Sequence, residues 1–312
     1  MLKSFFRRLS AFATRDVTHE LVQLRSDIKG LTEAFQGVVK AGQAEDERWN
    51  EYLKTIAGAT DQTRHLAITQ LKVTKLASLG ADPVVSFFHN GTIPIRFFVP
   101  KAATDYIQGY HLFHESFWDV AHLQRTDSFV KGKAVLDIGA NVGNHLVYWA
   151  RVAGAKSITA FEPIPELFEI LQRNISLNGV HNAEALNVAL GREESFGSAV
   201  SSGDNRMQSE VHATAVEAAG SIKIVALDEL EIAEADFAKI DVEGHTLDLL
   251  HGATKTLRRL RPAIFVELFE HERKACHEIL TGIGYEMRRA AADSNYLYVH
   301  PSRPFDGELG FL

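Results

Sequence analysis

Four acidic residues, Asp137, Glu162, Asp241 and Glu267, each stand at the carboxyl end of a short apolar run. An acid directly after a buried strand needs a partner, because an unpaired buried charge is costly. The first leads into Asp137-Ile-Gly-Ala-Asn-Val-Gly143, after which a helical pattern resumes at Asn144. Gly139 and Gly143 remove side chains where a ligand approaches the backbone, and the helix start offers unpaired N–H groups to an anion. Glu162 follows the loop by about 20 residues, the spacing at which an acid accepts hydrogen bonds from ribose hydroxyls. Asp241, Glu243 and His245 alternate in Lys239-Ile-Asp-Val-Glu-Gly-His245, two carboxylates and an imidazole available as general bases. His245 equally suits a helix cap, and the trio also reads as three metal ligands. No other ligand cluster accompanies them, so no metal is expected.

The elements that must hold these residues alternate. Strands are expected at 133–138, 157–161, 183–189, 237–241 and 263–267, and helices near 144–153, 164–178, 245–260 and 271–282. Such alternation specifies an α/β fold, a doubly wound Rossmann-like sheet with helices on both faces, in which ligands bind at the carboxyl ends of the strands. Residues 191–230 interrupt the alternation with a polar stretch, and 285–300 reads as one or two final strands. Ser201 to Ser209 is either a surface loop or part of the acceptor side.

Upstream, Val84–Phe88 and Ile93–Val99 flank His89-Asn-Gly-Thr92 and predict a hairpin. Residues 104–129 read as helical and aromatic-rich, a packing signal rather than a platform for bases. Leu21, Leu24, Ile28, Leu31, Phe35 and Val38 recur at steps of three and four, a coiled-coil seam that weakens near Gly42 and recovers at Trp49. The domains expected are a helical, coiled-coil-like arm at 1–80, a hairpin and helical lead-in at 81–130, and the main domain at 131–312. The arm either joins copies into a homo-oligomer or packs on its own domain. Residues 1–15 place Leu2, Phe5, Phe6, Leu9 and Phe12 on one face and basic residues opposite. That is a frayed terminus or a weak peripheral membrane contact.

A net charge of −7 gives no electrostatic reason to expect nucleic acid. Cys276 is the only cysteine, which excludes an intrachain disulfide and a cysteine zinc cluster. No apolar run is long enough to span a bilayer and the first residues lack a clear cleavage site, so a cytoplasmic location is expected, with any membrane contact at the inner surface.

The loop narrows the ligand. A third dinucleotide-type glycine is missing, since Asn144-His-Leu146 follows Gly143, and no Walker lysine appears. A loop with an acid and few donors suits a ligand without phosphate, and S-adenosylmethionine is such a ligand. An NAD-linked oxidoreductase is the alternative that the missing glycine disfavours.

Val135-Leu-Asp-Ile-Gly-Ala-Asn-Val-Gly143, Phe161-Glu-Pro163 with Asn174 and Leu177-Asn-Gly179, Asn187-Val-Ala-Leu-Gly191, Leu227-Asp-Glu-Leu230, Lys239-Ile-Asp-Val-Glu-Gly244 and Arg261-Pro-Ala-Ile-Phe-Val-Glu267 occur in that order. Together they resemble the FkbM-type methyltransferases, class I enzymes that use S-adenosylmethionine. The resemblance covers about residues 110–290 and implies O-methylation of a sugar hydroxyl on a glycan, or of a secondary metabolite. It also implies that Asp137, Gly139, Asn141 and Gly143 surround the methionine part of the cofactor, that Glu162 holds the ribose, and that Asn187 and Val188 lie near the adenine. Asp241 and Glu243 would sit beside the reacting methyl, and Glu115 would close the pocket. The chain departs from the pattern at Thr246, where the family usually has an acid, and at His145, near which an aromatic or hydroxyl residue is common. A domain that binds cofactor without turnover, with the arm as an interaction module, is the non-enzymatic alternative.

Overall fold

A computed structural model of the chain describes residues 72–201, 209–214, 221–290 and 294–303. The coiled-coil seam, the amphipathic start and most of the 201–209 loop lie outside the described residues. The chain divides into two units, Met1–Leu79 and Gly80–Leu312, so the lead-in and the main domain form one unit. In the first, 72–77 are helical. Among the described residues no helix is long and apolar enough to cross a membrane.

The second unit opens with the hairpin of β1 (Val84–His89) and β2 (Ile93–Phe98). Asn90 and Gly91 carry its turn in left-handed conformation, at φ 48° and 72°. Alternation buries Val85, Phe87 and His89 from β1 and Ile95 and Phe97 from β2. The helical lead-in is three short pieces, α1 (Tyr106–His114), α2 (Val120–Arg125) and α3 (Asp127–Val130). Asp105 caps α1 by accepting from the Gln108 amide at 2.9 Å.

Then come β3 (Ala134–Ile138), α4 (Asn144–Tyr148), β4 (Ser157–Phe161), α5 (Pro165–Leu177) and β5 (Ala183–Leu186). Trp149–Ala153 continues α4 as one wider turn. Pro165 starts α5 where its missing N–H is harmless. After it lie β6 (Ala189–Leu190), β7 (Ser195–Ser201), β8 (Ser209–Thr214), β9 (Ile222–Val225), β10 (Phe237–Ile240), α6 (Thr246–His251), α7 (Thr254–Leu260), β11 (Ala263–Glu267), α8 (Glu270–Gly282), β12 (Glu286–Ala290) and β13 (Asn295–Val299). The main sheet runs β12-β13-β11-β10-β3-β4-β5. It is parallel from β11 to β5, and β13 is antiparallel to both neighbours, so the sheet is mixed rather than wholly parallel. Strand order reverses between β3 and β10, the switch point at which such sheets bind ligands.

One face of the sheet, with Leu136, Ile138, Ala238, Ile240, Ile264 and Val266, packs on Leu249, Leu257, Cys276 and Leu280 of α6, α7 and α8. On the other face, Phe237 meets Phe129 and Trp149, and Phe265 meets His122. Two expected elements are broken. The strand at 183–189 ends at Leu186, and β6 joins a separate four-stranded sheet, β6-β9-β7-β8. The Asn187 amide causes the break by donating to the Glu162 and Pro163 carbonyls at 2.8 and 3.1 Å. The helix at 245–260 divides at Gly252, where a side chain would stand 2.0 Å from the Gly191 carbonyl oxygen. Asp228 restarts it as α7, its carboxylate accepting from the Lys255 and Thr256 amides at 2.9 and 2.7 Å.

The hairpin is fastened to this scaffold by two buried asparagines of the α5 end. Asn178 Oδ1 accepts from the Arg96 amide at 2.9 Å while its Nδ2 donates to the Arg96 carbonyl at 2.7 Å. Asn174 accepts from the Phe98 amide at 2.7 Å and donates to the Val142 carbonyl in the glycine loop at 2.8 Å.

His111, fully buried, stacks on Phe97 with centroids 3.9 Å apart and donates from Nδ1 to the Ser116 carbonyl. Burial pushes its imidazole down to about 4. A buried neutral imidazole must charge as pH falls, so its contribution is complete above about pH 6.5 and is lost as pH drops toward 4. Unfolding of the wild type should therefore lose about 2 kcal/mol more than His111→Phe between pH 7 and 5. Parallel pH profiles for the two proteins would refute this.

Candidate functional site

Asp137 and Lys239 are register partners on adjacent parallel strands, β3 and β10, so their side chains emerge on the same face. Lys239 Nζ lies 3.9 Å from Asp137 Oδ1 and 3.2 Å from Asp241 Oδ2, and donates to the Gly139 carbonyl at 3.0 Å. Asp137 is completely buried and neither oxygen has a hydrogen-bond partner. Burial pushes its carboxyl up to about 6, against the pull of the ammonium. The Asp241 and Asp137 charges hold the Lys239 ammonium above its ordinary value although burial opposes this. Lys239 thus ties the glycine loop, the β3 acid and the β10 acid to one cation.

The loop's conformation is set by protein neighbours. Gly139, at φ 83°, passes so close to β10 that a Cβ would fall 1.8 Å from the Asp241 carbonyl oxygen. Gly143, at φ 88°, faces Leu171, whose Cδ1 a Cβ would approach to 2.7 Å. Close packing of strand, loop and helix requires both glycines.

Glu162, 4% exposed, accepts from the Asn141 amide through Oε2 at 2.8 Å and from the Ile164 amide through Oε1 at 2.9 Å. Burial raises its carboxyl to about 7, opposed by these two N–H groups. Each oxygen keeps a lone pair for a ligand hydroxyl. If ribose hydroxyls donate there, Glu162→Ala weakens S-adenosylmethionine by about 1.5–3 kcal/mol, since hydrogen bonds to charged groups carry that much. Calorimetric titration measures it, and unchanged affinity would remove the residue from the ribose.

After β10 the chain turns through Glu243 and Gly244, both left-handed at φ 47° and 84°, into α6. His245 occupies the N-cap position without a side-chain cap bond. Buried Glu272 instead accepts from the Leu247 amide at 3.1 Å, and Thr246 donates to the Glu267 carbonyl at 3.4 Å. Glu267, at the end of β11, hydrogen-bonds Asp241. Burial first, then the charges of Asp241 and Glu243, raise its carboxyl to about 7.

One cavity of about 530 Å³ collects these groups at the switch point. Its lining includes Gly139, Asn141, Glu162, Val188, Lys239, Asp241, Glu243 and His245. Asp137, Gly143 and Asn187 stand outside the lining. Asp137 faces Lys239, Gly143 packs against Leu171, and Asn187 bonds the Glu162 and Pro163 carbonyls. Glu115, expected to close the pocket, is the left-handed C-cap of α1 at φ 49°, is exposed, and is not among the lining residues. Among the described residues, no three His, Cys, Asp or Glu side chains are grouped to hold a metal ion.

Sequence reasoning missed Lys239, Trp118, Asn144 and His145 as lining residues. Burial holds the His145 imidazole neutral, well below its ordinary range. The signal for Lys239 was present, since a lysine between Ala238 and Ile240 inside a buried strand must find an acid on its own face.

Residues 137–291 match the sequence model of the Methyltransferase FkbM domain. These residues form an FkbM-type methyltransferase domain. Its cofactor is S-adenosylmethionine. The chain is 30% identical over 132 residues to the hexuronic acid methyltransferase AglP of Haloferax volcanii, covering 39% of this chain and 50% of that protein. It is 36% identical over 83 residues to Methyltransferase 1 of Beauveria bassiana, covering 27% of this chain and 31% of that protein. The chain thus spans half or less of these relatives' lengths. A crystal structure of Methyltransferase FkbM from Methylobacillus flagellatus KT superposes with TM-score 0.43 at 17% identity, over 62% of this chain and 52% of that one. β13, which follows the matched residues, supplies the antiparallel strand of the mixed, parallel-rich sheet.

Proposed function

We propose that the FkbM domain transfers a methyl group from S-adenosylmethionine to a hydroxyl oxygen, on a sugar of a glycan or on a secondary metabolite. The observation that carries this reading is the shared cavity, in which Asp241, Glu243 and His245 stand beside Gly139, Asn141 and Glu162. The residues fit the cofactor: Glu162 has spare lone pairs for ribose, Val188 offers an apolar wall to adenine, and the α4 N-terminus presents N–H groups to the amino-acid carboxylate. S-adenosylmethionine supplies an electrophilic methyl group on a sulfonium. The domain must align a hydroxyl with it and take up the hydroxyl proton.

Asp241 is suited to that proton because Lys239 fixes its carboxylate on one side and Glu267 bonds it on another. Glu243 and His245 remain the neighbouring bases. The name of the Haloferax volcanii relative points to a sugar acid as its own substrate, which supports a glycan-type acceptor here.

The test offers the full-length chain S-adenosylmethionine with a panel of free and glycosidic sugars and of phenols, and locates the methyl group by mass spectrometry. A methyl ether supports the reading. Methylation only on nitrogen or carbon overturns the oxygen assignment, and tighter binding of NAD than of S-adenosylmethionine overturns the cofactor fit. Self-association through residues 1–80 belongs to this proposal, and a monomeric mass by light scattering would remove it.

A further inference from the structure

Trp118 lies in the lead-in, outside the span that matches the FkbM domain, yet it lines the cofactor cavity. It is held there by a reciprocal clamp: its amide donates to Asn144 Oδ1 at 3.0 Å, and Asn144 Nδ2 donates back to its carbonyl at 3.1 Å. Asn144 is the first residue of α4 and 2% exposed, so the backbone of Trp118 is fixed to the helix that follows the glycine loop. Tyr106 stands against Trp118 with ring centroids 6.5 Å apart and planes at 84°, and is 58% exposed. Ile107, next to it on α1, also lines the cavity.

Trp118 lines the cavity and Tyr106 supports it from outside the lining. The pair forms no slot between parallel faces, which would best hold a flat aromatic acceptor. An indole π-face, electron-rich at its centre, attracts the weakly positive C–H groups on one face of a saturated ring. The remaining polar lining includes Glu243, His245 and the Arg192–Asp248 pair, groups of types that hydrogen-bond hydroxyls. A molecule with one C–H face and a rim of hydroxyls is a pyranose. We infer that Trp118, with Tyr106 behind it, is the stacking wall that seats a pyranose ring as the methyl acceptor. This deepens the O-methyl transfer reading and rests on it.

The clamp fixes the backbone that carries the wall, and the Tyr106 ring supports the indole itself. Stacking on a supported ring loses less conformational freedom than stacking on a mobile one. The wall is also joined to the glycine loop through α4, so acceptor and cofactor are positioned by the same short helix.

The test is saturation-transfer NMR on the full-length chain, with S-adenosylhomocysteine bound and methyl β-glucopyranoside or methyl β-glucuronoside as probe. Calorimetry first establishes that S-adenosylhomocysteine binds. Failure at that step overturns the methyl-transfer reading and this inference with it. With the cofactor product bound, the expected result is saturation concentrated on the C–H protons of one sugar face. It should fall at least fivefold in Trp118→Ala and largely persist in Trp118→Phe, with S-adenosylhomocysteine affinity within threefold of wild type in both. Three results overturn the stacking wall alone: no pyranoside signal in the wild type, wild-type signal in Trp118→Ala, or a stronger response from a flat dihydroxybenzene. A tenfold or greater loss of S-adenosylhomocysteine affinity in Trp118→Phe would move the indole to the cofactor and overturn it as well.

Discussion

Gly139→Ala is expected to destabilise the domain by about 4 kcal/mol or more, at the upper end of single substitutions. Two costs add. A left-handed residue with a Cβ is strained by about 1–2 kcal/mol, and here the Cβ would also sit 1.8 Å from the Asp241 oxygen and 2.9 Å from its carbonyl carbon. Both contacts are backbone, between two strand ends held in one sheet, so no side-chain rotation relieves them. Gly132→Ala supplies the control, because Gly132 is also left-handed, at φ 68°, with nothing within 4 Å of its missing Cβ. It should cost only the conformational part. Urea unfolding of the two variants separates the effects, and equal midpoints would show that the close approach of loop and β10 is not real.

Lys239→Met should cost about 3–5 kcal/mol at neutral pH, the range for removing one partner of a buried ion pair. The variant leaves Asp137 fully buried, with no other ion pair to it among the described residues, and frees the Gly139 carbonyl. The deficit should depend on pH in a defined direction. Asp137 already stands at about 6 in the folded chain, above the roughly 3.9 of an exposed aspartate, so its ionisation opposes folding as pH rises through that window. Without the ammonium it stands higher still. The gap between variant and wild type should widen toward neutrality and narrow toward about pH 5. S-adenosylmethionine affinity should fall as well, because the loop loses its anchor. A variant within about 1 kcal/mol of wild type, or a gap that widens on acidification, would contradict this account.

Much of this was legible in the sequence because the strands are locally marked. The runs at 157–161 and 263–267 are the observed β4 and β11 residue for residue. The breaks were not legible, since their causes lie far along the chain: Asn187 turns to bond Glu162 and Pro163, and Gly252 meets Gly191. Local pattern holds no record of either. The candidate site divides the same way. Glu162 was readable from its distance to the loop, and the structure puts it in the cavity with two backbone donors. Asp137, one residue before the end of β3, is fully buried and lies toward Lys239, a pairing across strands that the local pattern does not record. Trp118 was hidden among neighbouring aromatics, because a ring that packs and a ring that lines a cavity look alike until α1 and α4 are placed.

The two asparagines of α5 carry a further consequence. A two-stranded hairpin leaves a row of unpaired amides and carbonyls on each outer edge, a template onto which another chain can add a strand. On β2 three groups of that row are occupied: Asn178 answers both the N–H and the C=O of Arg96, and Asn174 answers the N–H of Phe98. The side chains of a helix complete the sheet in place of a third strand. The edge nearest the cofactor loop is thereby closed to aggregation without lengthening the sheet.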